Sequence, residues 1–354
     1  MAADRRRING PPGGTAPPYF ASSVPGIGDT PIERPVRTRQ SNQLRKIFLK
    51  TGLAPSASGS AYIELEPSSQ NHSHSKTLVT PSSSLKLTCT VHGPRPLPRS
   101  APFTPHILLS THVKFAPFAA RQRRGYIRDA SERDLGVHLE TALRGVIIGD
   151  RWPKSGVEVV VTILEGEEDR WWGDEATGGS TGIGGVGGWG MMNVLAGCIT
   201  VASAAIADAG IDCVDLVSGG VAALVGSTAP SEKADDAADK RQEKMVVLDP
   251  CPSEHKNIIA ACVVGYLFAR DEITELWLKG DMPGTANTKE GGSGGILEQQ
   301  NLIDHAVEAA AAARLVLGDA VKEAAELKLR KNASSKQNTS TQDRSTSVDV
   351  EMGG

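Results

Sequence analysis

The sequence predicts an α+β domain made of two sheet-and-helix halves, flanked by disordered tails. Three observations carry this. Short apolar runs with period-two spacing give way to a helical period, and the same succession then repeats. The apolar fraction of 39% over 354 residues is enough for a real core. The ends differ from the middle: residues 1–40 are rich in Pro, Gly, Arg and Ser, and residues 331–354 are almost wholly polar. Neither end can bury enough apolar area to offset the entropy of ordering.

In chain order, Ile47–Leu49, Ser60–Leu65, Leu85–Val91 and Ile107–Phe115 alternate apolar and polar positions and predict a β-meander. The period then changes. Leu135, Leu139, Ala142, Leu143, Val146 and Ile147 fall at helical spacing, with Ser131 as the N-cap. Val157–Leu164 reads as a buried strand. Met191–Ala209 reads as a helix apolar on most sides, which belongs between layers and is ended by Gly210. Strands follow at Val214–Leu224, Met245–Leu248, Ile258–Phe268 and Ile273–Leu278. An Ala-rich helix closes the domain from about Leu297 to Leu329; its stripe of Leu302, Ile303, Ala306, Ala310, Ala313, Val316, Leu317 and Val321 faces the sheet, leaving Glu298, Asp304, Glu308 and Lys322 wet. The domain thus spans 41–330, interrupted by polar or Gly-rich surface insertions near 68–84, 165–190, 227–243 and 284–295.

The formal net charge of -3 hides a local cluster, because Lys114, Arg121, Arg123, Arg124 and Arg128 lie close together. Five cysteines, odd in number and without a C-x-x-C pair, indicate neither a disulfide framework nor a zinc site. They read as small buried hydrophobes in a reducing compartment. The histidines form no H-x-x-x-H or H-E-x-x-H spacing, so no metal is expected. No leader-type apolar run of about 7 to 15 residues opens the chain, and no stretch reaches about 18 apolar residues. Secretion and membrane spanning are not expected, and the glycosylation patterns at Asn71 and Asn332 carry no weight.

Two motifs are set aside on context. Gly182-Ile183-Gly184-Gly185-Val186-Gly187 is formally G-x-G-x-x-G, the basis for a distant alternative as a nucleotide-dependent oxidoreductase. An acidic segment from Glu165 to Glu175 separates it from the preceding strand, and a dinucleotide site needs the strand directly before the glycines. Gly178-Gly179-Ser180-Thr181-Gly182 lacks the strand and helix that a nucleophile elbow needs on either side. Trp171-Trp172 reads as a local surface anchor.

Five segments in order then carry a resemblance: Gly59-Ser60-Ala61-Tyr62-Ile63-Glu64; Val91-His92-Gly93-Pro94-Arg95; Phe115-Ala116-Pro117-Phe118-Ala119 running into Arg121, Arg123 and Arg124; Ala202 to Gly210; and Leu248-Asp249-Pro250 with Glu254. Over roughly residues 44 to 330 the chain resembles RNase PH-like proteins, in particular the non-catalytic ring subunits of the eukaryotic RNA exosome of the mRNA transport regulator type. The resemblance implies the RNase PH-like fold, with two halves related by duplication. The segments also have readings of their own. Gly59 lets a strand leave a tight turn, Gly-Pro-Arg ends a strand sharply, and the small residues before Gly210 allow close approach to a sheet.

What the resemblance implies about chemistry is a loss. Phosphorolysis must hold an inorganic phosphate beside an anionic backbone and manage a proton, which needs fixed cations, amide donors and an acid. Active relatives open the central helix with Gly-Thr-Arg, where helix dipole and guanidinium favour phosphate. Here that segment corresponds to Asn193, Val194 and Leu195. The acid beside Glu254 corresponds to His255, and an arginine after the earlier proline corresponds to Phe118. No catalytic residue and no cofactor is therefore expected; an active phosphate-dependent 3′-5′ exoribonuclease is the alternative. The expected role is structural, within a hetero-hexameric ring of RNase PH-like subunits that contacts RNA-binding cap subunits and RNA. It serves 3′-to-5′ processing and decay, including rRNA maturation and mRNA turnover, in nucleus, nucleolus and cytoplasm. Lys114, Arg121, Arg123, Arg124 and Arg128 would then hold RNA phosphates in the central channel, or form a solvated loop.

Overall fold

A computed structural model describes residues 35–66, 84–120, 124–125, 127–169, 188–226, 244–280 and 293–345. Five strands, β1 (Ile47–Thr51), β2 (Gly59–Leu65), β3 (Leu85–Pro96), β4 (Leu108–Phe115) and β5 (Ser155–Glu165), form the first sheet in the order β1-β2-β3-β5-β4. The meander holds through β3, with Ile47 opposite Leu65 and Gly59 opposite Val91. It breaks at β4, which pairs parallel with β5, Leu108 opposite Gly156. The reason is the crossover helix α1 (Ala130–Arg144), since a connection of that length returns the chain in the same direction. Alternation then sends Leu85, Leu87, Cys89 and Val91 of β3 and Val157, Val159, Val161 and Ile163 of β5 into one core.

Helix α2 (Gly190–Asp208) lies on that core, with every residue from Gly190 to Ile206 buried. Among the described residues it is the helix long and apolar enough to cross a bilayer, yet its apolar surface is spent inside the fold. Its end is a full Schellman turn: Gly210, at φ 72°, donates to the Ala207 carbonyl at 3.1 Å and Ile211 to that of Ile206 at 3.3 Å.

The second sheet, β7-β6-β8-β9, consists of β6 (Val217–Gly226), β7 (Lys244–Leu248), β8 (Ile258–Leu267) and β9 (Glu272–Gly280), all antiparallel. Strand β6 is covered on both faces. Val217, Val221 and Ala223 face the α2 core, while Ala222 and Leu224 join a second core under α3 (Ser293–Ser345). Two adjacent glycines make this double approach fit. A Cβ on Gly219 would stand 2.3 Å from the Ala196 carbonyl oxygen of α2, and one on Gly220 2.2 Å from that of Ala306 in α3.

Several local expectations are corrected. Ser131 is not the cap: the helix opens at Asp129, whose backbone N–H donates to Glu132 Oε2 at 3.1 Å in a capping-box arrangement. Gly59 is needed for close approach rather than for a turn, since a Cβ there would lie 2.3 Å from the Ala205 carbonyl oxygen. Strand β3 does not end at Gly93-Pro94 but continues to Pro96 through an irregular register between His92 and Arg95. Residues 35–40, assigned by composition to the tail, are docked on the fold through Arg37 and Arg39. The last helix runs past Leu329 to Ser345, through residues 331–345 that composition assigns to a tail, because nothing there breaks a helix once the packed part has nucleated it. The remaining tail residues, most of the four insertions, both Gly-rich motifs and Trp171-Trp172 lie outside the described residues.

Candidate functional site

The end of β7 brings the chain to Asp249, which takes the left-handed conformation at φ 48°. Asp tolerates that region better than most residues. Its backbone N–H donates to the Val221 carbonyl at 2.9 Å, and that of Leu248 donates to the Ser41 carbonyl at 2.8 Å, so the segment before β1 is stitched to β7. Arg45, from that segment, is 4% exposed. Its Nε and Nη2 donate to the two Asp249 carboxylate oxygens at 2.8 and 2.7 Å, and its Nη1 to Glu167 Oε1 at 2.8 Å.

Two more arginines close the cluster. Arg39 bridges Asp249 Oδ2 and Glu254 Oε2, each at 3.1 Å. Arg37 donates to the carbonyls of Leu248, Gln40 and Gln43 at 3.1, 2.8 and 2.9 Å and lies 3.9 Å from Glu254. Three guanidiniums thus face three carboxylates, so the buried site carries its own neutralisation. Burial alone would drive Asp249 and Arg45 toward neutrality, but their facing charges win: Asp249 is held well below the usual carboxylate range and Arg45 above its ordinary value. For Glu254 burial prevails over the neighbouring arginines and its pKa is raised. Burial, with Arg39 beside it, lowers Arg37 to about 10.

The start of α2 faces this cluster. Asn193, 3% exposed, donates its side-chain amide to Glu167 and, at 2.6 Å, to the Pro250 carbonyl. The Gly190 N–H donates to Asp169 Oδ1 at 3.0 Å. Side-chain carboxylates of the chain itself therefore sit at the N-terminus of the helix, where its dipole and free amides favour an anion. Val194 and Leu195 are fully buried in the core, and burying a leucine in that way stabilises by about 1.5–3 kcal/mol. His255 places Nε2 4.0 Å from Glu254 Oε2. Phe118 is 73% exposed on the turn after β4.

The basic segment divides. Lys114 Nζ donates to the Gly125 and Ile127 carbonyls, both at 3.2 Å, and to Glu132 at 3.0 Å, closing the loop onto α1. Arg124 lies over the Phe115 ring, 4.2 Å from its centroid, and pairs with Asp129 at 3.3 Å; burial lowers its pKa. These two cations are engaged within the loop rather than displayed from it. Arg128 is exposed, and Arg121 and Arg123 lie outside the described residues. Among the described residues no group of His, Cys, Asp and Glu is placed to hold a metal ion.

Arg37, Arg39, Arg45, Glu167 and Asp169 were not singled out by sequence reading. The available signal was the repeated arginine of Arg37-x-Arg39 and Arg45 in a segment otherwise read as a tail or its border. Their partners lie more than 200 residues away in the chain for Asp249, and spacing cannot reveal such a pair.

Comparison with known proteins gives a consistent picture. The RNase PH model, the first domain of a 3′ exoribonuclease family, matches residues 43–212. Exosome complex component MTR3 of Chaetomium thermophilum is 56% identical over 284 residues, which cover 79% of this chain and 87% of that protein. Exosome complex component mtr3 of Schizosaccharomyces pombe is 29% identical over 78% of this chain and 84% of its own length. The human MTR3 component is 28% identical over 65% and 71%, respectively. Among solved structures, rice Rrp46 shares the fold with a TM-score of 0.55 at 14% identity, over 80% of this chain and 98% of that one.

Proposed function

Because this chain belongs to the RNase PH family, among the exosome complex components of the MTR3 type, we propose that it serves as a non-catalytic structural subunit of the exosome core ring. The observation that carries the absence of catalysis is the filled site. Where a phosphorolytic enzyme needs open cations and free helix amides, this chain holds three arginines on its own carboxylates and a carboxylate on Gly190. Leu195, in the position that the family resemblance gives to a phosphate-binding arginine, belongs to the core.

In this reading the chain joins other RNase PH-like subunits in a hetero-hexameric ring, meets cap subunits that carry RNA-binding domains, and leaves catalysis to other components. The assembly acts in 3′-to-5′ RNA processing and decay, including rRNA maturation and mRNA turnover, in nucleus, nucleolus and cytoplasm. Arg128 is the exposed, described cation of the basic segment that meets RNA in the channel in this reading, Arg121 and Arg123 being assigned to that role by sequence alone, whereas Lys114 and Arg124 support the loop.

Incubation of the purified chain with single-stranded RNA and inorganic phosphate tests the reading. No nucleoside diphosphate is expected. Release of diphosphates that disappears in Asp249→Ala or Glu254→Ala would overturn it and restore the phosphorolytic alternative.

A further inference from the structure

Residues 35–41 lie on the fold as an extended peptide lies on a receptor. Pro35 is buried and Arg37 and Arg39 are half-buried, whereas Val36, Thr38 and Gln40 between them are exposed, the alternation of an extended chain. The backbone meets the second sheet at the end of its edge strand β7, where the Leu248 N–H donates to the Ser41 carbonyl. Two guanidinium groups add the polar contacts. Arg39 forks, one nitrogen on Asp249 and the other on Glu254, and Arg37 reaches the carbonyls of Leu248 and Asp249 at 3.1 and 3.3 Å.

This outer contact is poorly satisfied. The Nε atoms of Arg37 and Arg39, Glu254 Oε1 and Asn193 Oδ1 are buried, and none has a hydrogen-bond partner among the described residues. Asn193 cannot repair this by turning its amide, because its Nδ2 already serves two acceptors, Glu167 and the Pro250 carbonyl. Donors and acceptors are thus left over on both sides of one contact, and their desolvation cost stays uncompensated. The inner contact differs, since Nε, Nη1 and Nη2 of Arg45 are all engaged. The chain start is therefore held by a tight inner lock and a weaker outer latch, and the latch itself displays the chemistry that its groove accepts.

We propose that the groove between the end of β7, residues 249–254 and the start of α2 is a docking site for an extended Arg-x-Arg segment of a partner protein, which residues 35–40 hold closed in cis. Charge complementarity sets the class of partner. Asp249 and Glu254 together receive one planar guanidinium fork, which the single ammonium of a lysine does not reproduce. The alternate positions of the latch face outward, so the residue between the two arginines is not read. Arg45 stays on Asp249 throughout, and docking exchanges the outer contact alone. This chemistry is local to the groove and does not depend on the ring reading above.

A labelled peptide with the sequence of residues 35–41, titrated into the full-length chain, tests the proposal. The parent is expected to bind it weakly, because the peptide must displace the latch. Arg39→Ala removes both carboxylate contacts of the latch and is expected to bind at least about tenfold tighter, as the fraction of chains with an open groove rises. Adding Glu254→Ala to that variant should abolish the gain, and a peptide with lysine at both arginine positions should lose most of its affinity. Hydrogen exchange supplies a second readout in the parent. Excess peptide is expected to speed exchange at residues 36–40 while the Arg45 amide, which donates to Asp249, stays protected. Equal affinity of the parent and Arg39→Ala, a gain that survives Glu254→Ala, or exchange at residues 36–40 unmoved by the peptide overturns the proposal. Should Arg39→Ala fail to fold, exchange in the parent decides alone.

Discussion

Arg45 and Asp249, 204 residues apart in the chain, meet in a buried bidentate pair, and the Arg45 backbone N–H adds a third bond to the same carboxylate at 2.9 Å. The pair ties the segment before β1 to the end of β7. Removing one member leaves the other charged and buried, which costs about 3–5 kcal/mol. Arg45→Met and Asp249→Asn are each expected to lower stability by that amount in denaturant unfolding. The double variant should recover part of the loss, because Arg45 and Asp249 no longer leave each other unpaired; the remainder reflects Glu167, which loses its arginine.

The same pair sets an acid limit. Asp249 has a folded pKa below its unfolded value of about 3.9, so its contribution is complete above that value and disappears as pH falls through the lower folded one. Stability should therefore decline with acid below about pH 4 to 5, and the decline should be shallower in Asp249→Asn. Glu254 has the opposite sign, since its raised pKa makes the folded state favour the protonated form as pH rises past the unfolded value. Glu254→Gln is expected to leave the acid-side decline in place. Unfolding curves of the three proteins across pH 3 to 7 check both signs; an unchanged decline in Asp249→Asn would contradict the assignment.

Restoring the residue of the active relatives should not restore their activity. Leu195 is fully buried, so Leu195→Arg places a charge in the core instead of beside a phosphate. The variant is expected to lose several kcal/mol of stability and to release no nucleoside diphosphates from RNA and phosphate.

Glycines of this chain are predicted to diverge when replaced. Gly219→Ala drives a methyl group to 2.3 Å from the Ala196 carbonyl oxygen, and relief requires α2 to move off the sheet. A loss of at least about 1–3 kcal/mol is expected. Gly318 lies inside α3 with open space around a Cβ. There alanine removes the helix penalty of glycine and is expected to stabilise by roughly 0.5–1 kcal/mol. Thermal melts of the two variants should shift in opposite directions.

Thiol chemistry offers an independent check on packing. Cys89, Cys198, Cys251 and Cys262 are buried, and Cys213 is half-buried with its thiol pushed up by burial to about 11. In the native chain a thiol reagent is expected to react slowly and first at Cys213, whereas all five should react at once in denaturant. Rapid native labelling of Cys89 or Cys198 would mean that the α2 core opens.

The sequence by itself determined the succession of strands and helices, the stripe of α3 and the place of Gly210, because period and helix ends are local properties. Its landmarks also led to the family. Tertiary structure decided what local patterns do not encode. The parallel return of β5 beside β4 depends on how α1 packs, and the double approach to Gly219-Gly220 depends on two helices distant in the chain. Arg37, Arg39 and Arg45, which composition placed in or beside a tail, became structural because a buried carboxylate requires an opposite charge wherever the chain can supply one. Lys114 and Arg124 went the other way: cations that looked available for a ligand are held by the loop that carries them.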